Sequence, residues 1–332
     1  KNGPKLHEYL QEMNKKTFGK YDSLTVGETW GATPEIAKLY SSPKRNELSM
    51  VFQFEVISLD KQAGKSRWDL APLDFIKFKE TFKKWQVELY EEGWNSLFGN
   101  NHDLPRMVSR WGNDREFRVE SAKMLATMLH MQKGTPYIYQ GEEIGMTNIK
   151  LKSIKDYNDI ETLNLYKSRR ALGYSEQDVM NSIYAKSRDN GRTPMQWSKE
   201  KNSGFTEGKP WLAINDNYSY INVEDSINDE NSILNYYKKL IRLRKENDVI
   251  KYGTFELILD NHKEVFAYIR KHENIELLVI CNFYSNNIGV SLSNEYNECS
   301  YEVLISNYNE VPKLNNFINL RPYETIVYKL EK

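Results

Sequence analysis

Two regimes of apolar patterning divide the chain, and the change falls after Asn247. In the first, short apolar runs alternate with stretches whose apolar residues recur every three or four positions. Leu6, Tyr9, Leu10 and Met13 stand at i, i+3, i+4 and i+7, which predicts a helix. The run from Leu24 to Glu28 follows as a strand. Thr33-Pro34-Glu35 then reads as an N-cap, a proline at the first helical position and an acidic first turn, opening a short helix to Tyr40. Leu48 to Phe54 has little polar interruption, as a strand buried on both faces requires. Phe75, Phe78, Phe82, Trp85 and Leu89 form a helical stripe closed by Gly93, and Trp94 to Phe98 is the next strand. Val119, Ala122, Ala126 and Leu129 predict another helix, and Thr135 to Gln140 another strand.

Strand and helix thus alternate through four units, the grammar of a parallel sheet. From Lys150 to Ala185 the composition turns polar and helical. Arg188 to Trp197 and Gly204 to Trp211 read as loops, and Leu234, Tyr237, Leu240 and Ile241 as a helix that closes a first domain, 1–246, with an insertion over 150–230. Beyond Asn247 come β-rich runs at Thr254–Leu259, Val265–Ile269, Glu276–Cys281, Tyr301–Ile305 and Thr325–Leu330. Turns such as Asp260-Asn-His-Lys263 and Ser285-Asn-Asn287 separate them. They predict a second, antiparallel β-domain over 247–332.

Charge and composition remove several classes of partner. Lys+Arg and Asp+Glu number 46 each, so the formal net charge is zero and no electrostatic case exists for nucleic acid or an anionic membrane. No run approaches the roughly 18 apolar residues of a membrane span. Two cysteines, Cys281 and Cys299, are too few for a disulfide framework and fit a reducing compartment. No His/Cys cluster or Asp-rich loop suggests a metal site. Aromatic residues make up 13% of the chain, enough for a core and also for the flat rings that sugar-binding clefts set against pyranoses.

The candidate chemistry sits where two of the predicted strands stop. Phe98-Gly-Asn-Asn-His-Asp103 delivers His102 and Asp103 side by side at the end of one strand; Leu24-Thr-Val-Gly-Glu28 ends another in a carboxylate, with Trp30 two residues on. An Asn-Asn turn with a capping Asp is the bland reading of the first string alone. Two strand ends that each present a carboxylate are what a glycosidase requires, and α/β barrels build active sites at the carboxyl ends of their strands.

Val26-Gly27-Glu28 and Asn100-Asn101-His102-Asp103 resemble two signature regions of the α-amylase superfamily, glycoside hydrolase family thirteen. Gly134-Thr-Pro-Tyr-Ile-Tyr-Gln-Gly-Glu-Glu-Ile-Gly-Met146, Arg188-Asp-Asn190 and Arg192-Thr-Pro-Met-Gln-Trp197 are similar to its oligo-1,6-glucosidase subfamily. Gly27-Glu-Thr-Trp-Gly-Ala-Thr-Pro-Glu-Ile-Ala-Lys38 is similar to bacterial glucan 1,6-α-glucosidases, the dextran glucosidases. The resemblance covers essentially the whole chain. It implies an α/β fold, the C-terminal half of a TIM (β/α)8 barrel from its fourth to its eighth helix, with the insertion over the barrel mouth and a β-sandwich after it. A full barrel takes about 250 residues, so roughly 200 residues are expected upstream of residue 1. The alternative is an independent open sheet of four units.

The same resemblance implies roles. Glu28 matches the general acid/base, and crowding by Trp30 and nearby carboxylates is expected to raise its pKa. Asp103 matches the carboxylate that binds the sugar's vicinal hydroxyls and stabilises the oxocarbenium-like transition state, with His102 as a donor beside it. Arg188 matches the arginine that clamps the non-reducing-end glucose; Trp30 and Glu161 resemble residues that shape the leaving-sugar subsite. Arg106, Arg110 and the Glu142-Glu143 pair are expected to hold loops and the barrel rim. The nucleophile of such enzymes is an Asp in a Gly-Phe-Arg-x-Asp string, which this chain does not contain; the resemblance places it just before residue 1, with the neighbour that helps set linkage preference. The loop where relatives carry a structural Ca²⁺ is also expected upstream, and no cofactor is expected in this chain.

The implied function is a retaining, exo-acting α-glucosidase that hydrolyses α-1,6 bonds at the non-reducing ends of isomaltose, isomalto-oligosaccharides and dextran fragments. The expected protein is bacterial, cytoplasmic and monomeric at full length, with no nucleic-acid or membrane partner. The 332 residues alone are expected to be inactive and poorly soluble, because half a barrel leaves unpaired strand edges. A trehalose-6-phosphate hydrolase or a broader oligo-α-glucosidase is the alternative among enzymes. A sugar-binding or scaffold member without catalysis is the alternative from another class.

Overall fold

The computed structural model describes residues 2–297 and 299–331; Lys1, Glu298 and Lys332, which the two sequence-derived domains include, lie outside them. Helix α1 (Leu6–Lys16) leads to strand β1 (Val26–Glu28), helix α2 (Pro34–Ser41), strand β2 (Met50–Phe52) and helix α3 (Phe75–Glu88). Strand β3 (Ser96–Leu97), helices α4 (Met107–Trp111) and α5 (Arg118–His130) and strand β4 (Thr135–Pro136) complete the alternation. β1 pairs with β2 and β3 with β4, all parallel, and a parallel bridge from Val51 to Asn95 joins the two pairs. The spatial order is therefore the chain order, as a barrel wall requires.

The local signals act as the patterning predicts. Thr33 Oγ1 accepts from the Ile36 N–H with Pro34 at the first helical position, and Asp74 Oδ1 accepts from the Lys77 N–H to start α3. Two expectations change. α1 forms where its stripe lies but buries only part of it: Leu6 and Leu10 pack against the cluster of Ala37, Tyr40, Val51, Trp85 and Leu89, while Tyr9 and Met13 are exposed. The parallel strands are also shorter than their apolar runs. In the last, Pro136 has no N–H to give to a ladder, and pairing beyond it is a single bond from the Tyr137 N–H to the Leu97 carbonyl.

After β4 come α6 (Ile160–Ala171), α7 (Glu176–Lys186), α8 (Asp189–Arg192), α9 (Val223–Asn228), α10 (Ile233–Glu246) and α11 (Asp248–Tyr252). Then the chain becomes β: β5 (Thr254–Ile258), β6 (Val265–His272), β7 (Ile275–Asn282), β8 (Ile288–Ser291), β9 (Tyr301–Ser306), β10 (Phe317–Leu320) and β11 (Thr325–Glu331). An antiparallel sheet in the order β5-β6-β7-β11-β9 faces the β8-β10 pair, and Val265, Leu278, Ile280, Val290, Ile318 and Ile326 fill the space between them. β8 and β10 are not among the runs expected; they are four residues each and interrupted by Gly289 and Asn319.

One hydrophobic core unites the two domains. The other face of the large sheet, with Phe266, Tyr268, Leu277 and Val279, packs on Phe78, Phe82, Leu125, Met128, Tyr237 and Leu240 from the barrel helices. Polar clamps reinforce it. Lys79 of α3 donates to the carbonyls of Leu259, His262 and Val265 at 2.6, 2.7 and 3.1 Å. Arg244 of α10 donates to the carbonyls of His130 and Gln132 at 2.9 and 2.8 Å, satisfying acceptors that the end of α5 leaves open.

Candidate active site

The predicted site residues gather at the carboxyl ends of β1 and β3. Glu28 is the last residue of β1, opposite Phe52 in the register, and its side chain lines a cleft with Phe52, Phe98, His102 and Tyr139. Since β2 separates β1 from β3, the two strand ends stand about 10 Å apart, twice the strand spacing. The expected crowding of Glu28 by Trp30 does not occur. Glu28 is exposed, and the Trp30 indole lies flat on the Phe54 ring instead, 4.0 Å between centroids and 7° between planes. Phe54 in turn meets Phe98, which meets Phe52, so an aromatic wall runs along the cleft with a half-exposed indole at its end.

The turn after β3 is built by close contacts. A Cβ on Gly99 would stand 1.9 Å from the Met107 sulfur, so only glycine lets the strand end run against α4. Asn101 Oδ1 accepts from the Asp103 N–H at 2.8 Å and turns that carboxylate back over the cleft. His102 is exposed, its Nε2 3.7 Å from Asp103 Oδ2. Asp103 is held from the far side by Arg192, whose Nη2 donates to Oδ1 at 2.6 Å.

Arg188 lies beside it, Nη1 3.7 Å from Asp103 Oδ1 and 3.9 Å from Glu161 Oε1. It is fixed by Asp159, the N-cap of α6, whose Oδ1 accepts from Nε at 2.8 Å and from Nη2 at 2.6 Å. Asp159 also accepts from the Thr162 hydroxyl and the Glu161 N–H. Burial alone would raise its carboxyl, but Arg188, the Thr162 hydroxyl and the Glu161 N–H together outweigh burial and hold it below the usual range. Glu161 completes the cluster through Arg67, with Nη2 2.9 Å from its Oε2.

A second cleft opens between Trp30, Asp103 and Pro105, lined at its base by Asp60, Lys61, Arg67, Arg110 and Lys186. Asp60 accepts two bonds from Arg110, at 2.7 and 2.8 Å, and lies 2.5 Å from the Lys186 Nζ. Burial pushes Asp60 up, but the two cations overcome it and hold it at about 2; burial lowers Lys186 to about 8. Arg110 Nη1 and Arg67 Nε are buried with no protein partner. Arg106 serves the loops: it donates to the carbonyls of Asn190 and Gln140 and to the Thr193 hydroxyl, tying the turns after β3 and β4 to α8.

The structure brings Asp103, His102, Arg188 and Glu161 into one network, sets Trp30 beside it, and leaves Glu28 across the cleft without an ion pair among the described residues. Three partners were not singled out from sequence: Arg192, Asp159 and Arg67. Asp159 carries a cap signal, an Asp before a helical stretch. The other two are arginines, one at the end of α8 and one in a loop, whose carboxylate partners lie 89 and 94 residues away. Among the described residues no cluster of three His, Cys, Asp or Glu is placed to hold a metal ion, and no helix is long and apolar enough to cross a membrane.

Residues 1–253 match the model of the alpha amylase catalytic domain, and residues 265–327 that of the alpha-amylase SusG C-terminal domain. The chain is 53% identical over 332 residues to the oligo-1,6-glucosidase of Parageobacillus thermoglucosidasius, covering 99% of this chain and 59% of that protein. It is 53% identical over 313 residues to the glucan 1,6-alpha-glucosidase of Streptococcus pneumoniae serotype 4, covering 92% of this chain and 57% of the other. Its fold superposes on the crystal structure of trehalose-6-phosphate hydrolase from Bacillus licheniformis with a TM-score of 0.96 at 46% identity, over all of this chain and 60% of that one. The chain thus spans less than two thirds of the length of each.

Proposed function

The chain belongs to the α-amylase family, and from that premise we propose that it carries the acid/base and transition-state-stabilising half of an exo-acting α-glucosidase that cleaves α-1,6 bonds at non-reducing ends. One observation supports this above the others: a carboxyl at the end of β1 faces, across an aromatic-walled cleft, a His-Asp pair that two arginines hold. In this reading Glu28 gives its proton to the glycosidic oxygen as the bond to the anomeric carbon breaks, while an Asp outside these residues forms the new bond to that carbon. Water then releases glucose, and Glu28 takes its proton back. Asp103 and His102 hold the vicinal hydroxyls, Arg188 the far side of the same sugar, and Trp30 and Glu161 the leaving sugar. Carboxyls and water suffice, so the reading requires no cofactor in this chain; two cysteines, too few for a disulfide framework, support a proposed location in the cytoplasm.

A second reading is favoured by the cleft beneath Trp30. Lys61, Arg67, Arg110 and Lys186 outnumber Asp60 and Asp103 there, and two guanidinium donors have no protein partner, so a phosphorylated leaving sugar would find acceptor-poor, positive surroundings. The relative of known structure named as a trehalose-6-phosphate hydrolase points to the same substrate class. Turnover of isomaltose, trehalose 6-phosphate and an aryl α-glucoside by the full-length protein decides. Preference for isomaltose upholds the first reading, preference for the phosphorylated sugar the second, and no turnover with retained sugar binding sinks both.

A further inference from the structure

Behind the turn that ends in Asp103 lies a buried carboxyl to which the proposed chemistry gives no part. Glu142, in the loop after β4, has both oxygens engaged. The Tyr237 hydroxyl of α10 donates to Oε1 at 2.7 Å, and the Asn100 amide, assigned with its nitrogen rather than its oxygen toward the carboxyl because only then are both of its ends paired, donates to Oε2 at 2.5 Å. With its nitrogen turned this way, Asn100 offers its oxygen to the N–H of Met107, the first residue of α4, at 3.2 Å. Asn100, Glu142 and Tyr237 are all buried.

We propose that Glu142 is a positioning residue: by holding Asn100 it sets where His102 and Asp103 stand over the cleft. For its catalytic consequence the proposal rests on the reading of function above; its geometry does not.

The amide of Asn100 has two orientations, and only one gives Met107 an acceptor. That orientation aims the NH₂ group at residue 142, so a side chain there without an acceptor strands a buried donor or costs α4 its first bond. Two residues separate Asn100 from Asp103, and the Asn101 bond to the Asp103 N–H takes up the slack between them. On the other side Tyr237 anchors Glu142 to α10, whose Tyr236 hydroxyl is bonded to Thr127 of α5. The staple therefore references the catalytic turn to the closing helix.

The charged and titratable groups facing Glu142 are Arg106, Glu143 and Tyr237; α4 and α5 present only Met107, Val108 and Ala122. Burial pushes the Glu142 carboxyl up to about 7, with Glu143 adding to the rise and Tyr237 and Arg106 opposing it. The staple survives protonation, because the tyrosine hydroxyl can rotate to accept and Oε2 stays an acceptor. Glutamine can do the same, with its NH₂ toward Tyr237 and its oxygen toward Asn100. Methionine fills the space, removes a buried carboxyl and offers Asn100 nothing.

The test compares E142Q with E142M in the full-length protein, reading kcat on an aryl α-glucoside, amide exchange over residues 98–107 and melting temperature at pH 8. E142Q is expected to keep kcat and exchange within about twofold, whereas E142M melts no lower than the parent yet loses about tenfold in kcat and exchanges about tenfold faster over this turn. An N100A/E142M double variant no slower than either single variant is the third expected result. E142M with parental exchange and kcat, E142Q as impaired as E142M, or losses that multiply in the double variant would each overturn the proposal. If the parent turns over no glucoside, the functional reading fails while the exchange arm still decides this one.

Discussion

Arg192 holds Asp103 by two routes at once: its Nη2 donates to the carboxylate at 2.6 Å, and its Nε donates to the carbonyl of His102, the residue before it, at 2.7 Å. Both ends of the His-Asp pair are thereby referred to one guanidinium.

A lysine at 192 can reach one of these acceptors but not both from a single plane. R192K is expected to lower kcat/KM of the full-length enzyme on its glucoside by about tenfold to a hundredfold, the value of one charge-assisted bond lost. A change smaller than threefold, read on protein that melts as the parent does, would show that Asp103 keeps its place without the clamp.

Asp159 makes a different claim, because it never faces the cleft. Its carboxylate is fully buried and serves to aim Arg188. D159N leaves one oxygen to share between Arg188, Thr162 and the helix cap, so Arg188 is expected to swing toward Asp103 and Glu161. The expected outcome is a KM raised about tenfold with kcat less affected, and a stability loss of about 2 kcal/mol, moderated because Arg188 keeps some contact with water. Equal falls in kcat and kcat/KM with KM unchanged would place Arg188 in the transition state alone.

These partners mark the limit of what the sequence discloses. The stripe Phe75-Phe78-Phe82-Trp85-Leu89 and the cap at Thr33-Pro34 are local signals, and local signals suffice for α2 and α3. The strand ends at Glu28 and Asp103 are legible for the same reason: a run stops and a carboxylate follows. Arg192 and Arg67 are not, because nothing within ten residues of either arginine says which carboxylate it will meet. β8 and β10 escaped for a related reason. Four residues interrupted by Gly289 or Asn319 have no period of their own, and only the opposite strand makes them strands.

Acid should find the closing helices before it finds the cleft. His130, at the end of α5, is buried edge-on to Tyr237 beside Arg244, and burial with that cation lowers it to about 3. A histidine depressed in the folded state stabilises fully above its unfolded value of about 6.5, and that stability drains away as pH falls toward 3. Between pH 6.5 and 5 the parent is expected to lose about 1.5 kcal/mol that an H130F variant keeps. Urea unfolding midpoints at the two pH values check this; parallel shifts in parent and variant would mean His130 charges without penalty.

Lys79 tests whether the β-domain is part of the barrel's stability or an appendage. Its ammonium leaves α3 to cap three carbonyls, of Leu259, His262 and Val265, in the turn that begins the large sheet. Methionine would fill the buried space of the stem, lose the ammonium that lies over the Phe75 ring, and abandon all three acceptors, of which the Val265 carbonyl is buried and the other two partly buried. One buried and two partly buried carbonyls left without their donor cost about 2 kcal/mol, above the loss of one methylene contact. Because Phe78 and Phe82 of the same helix pack directly on Phe266, the turn cannot open without disturbing the shared core. K79M is therefore expected to lower the single melting transition of the chain and to speed exchange in residues 259–265 and in α3 together. Two separate transitions, with only the later one shifted, would mean that the sheet folds independently and that the barrel helices gain nothing from its presence.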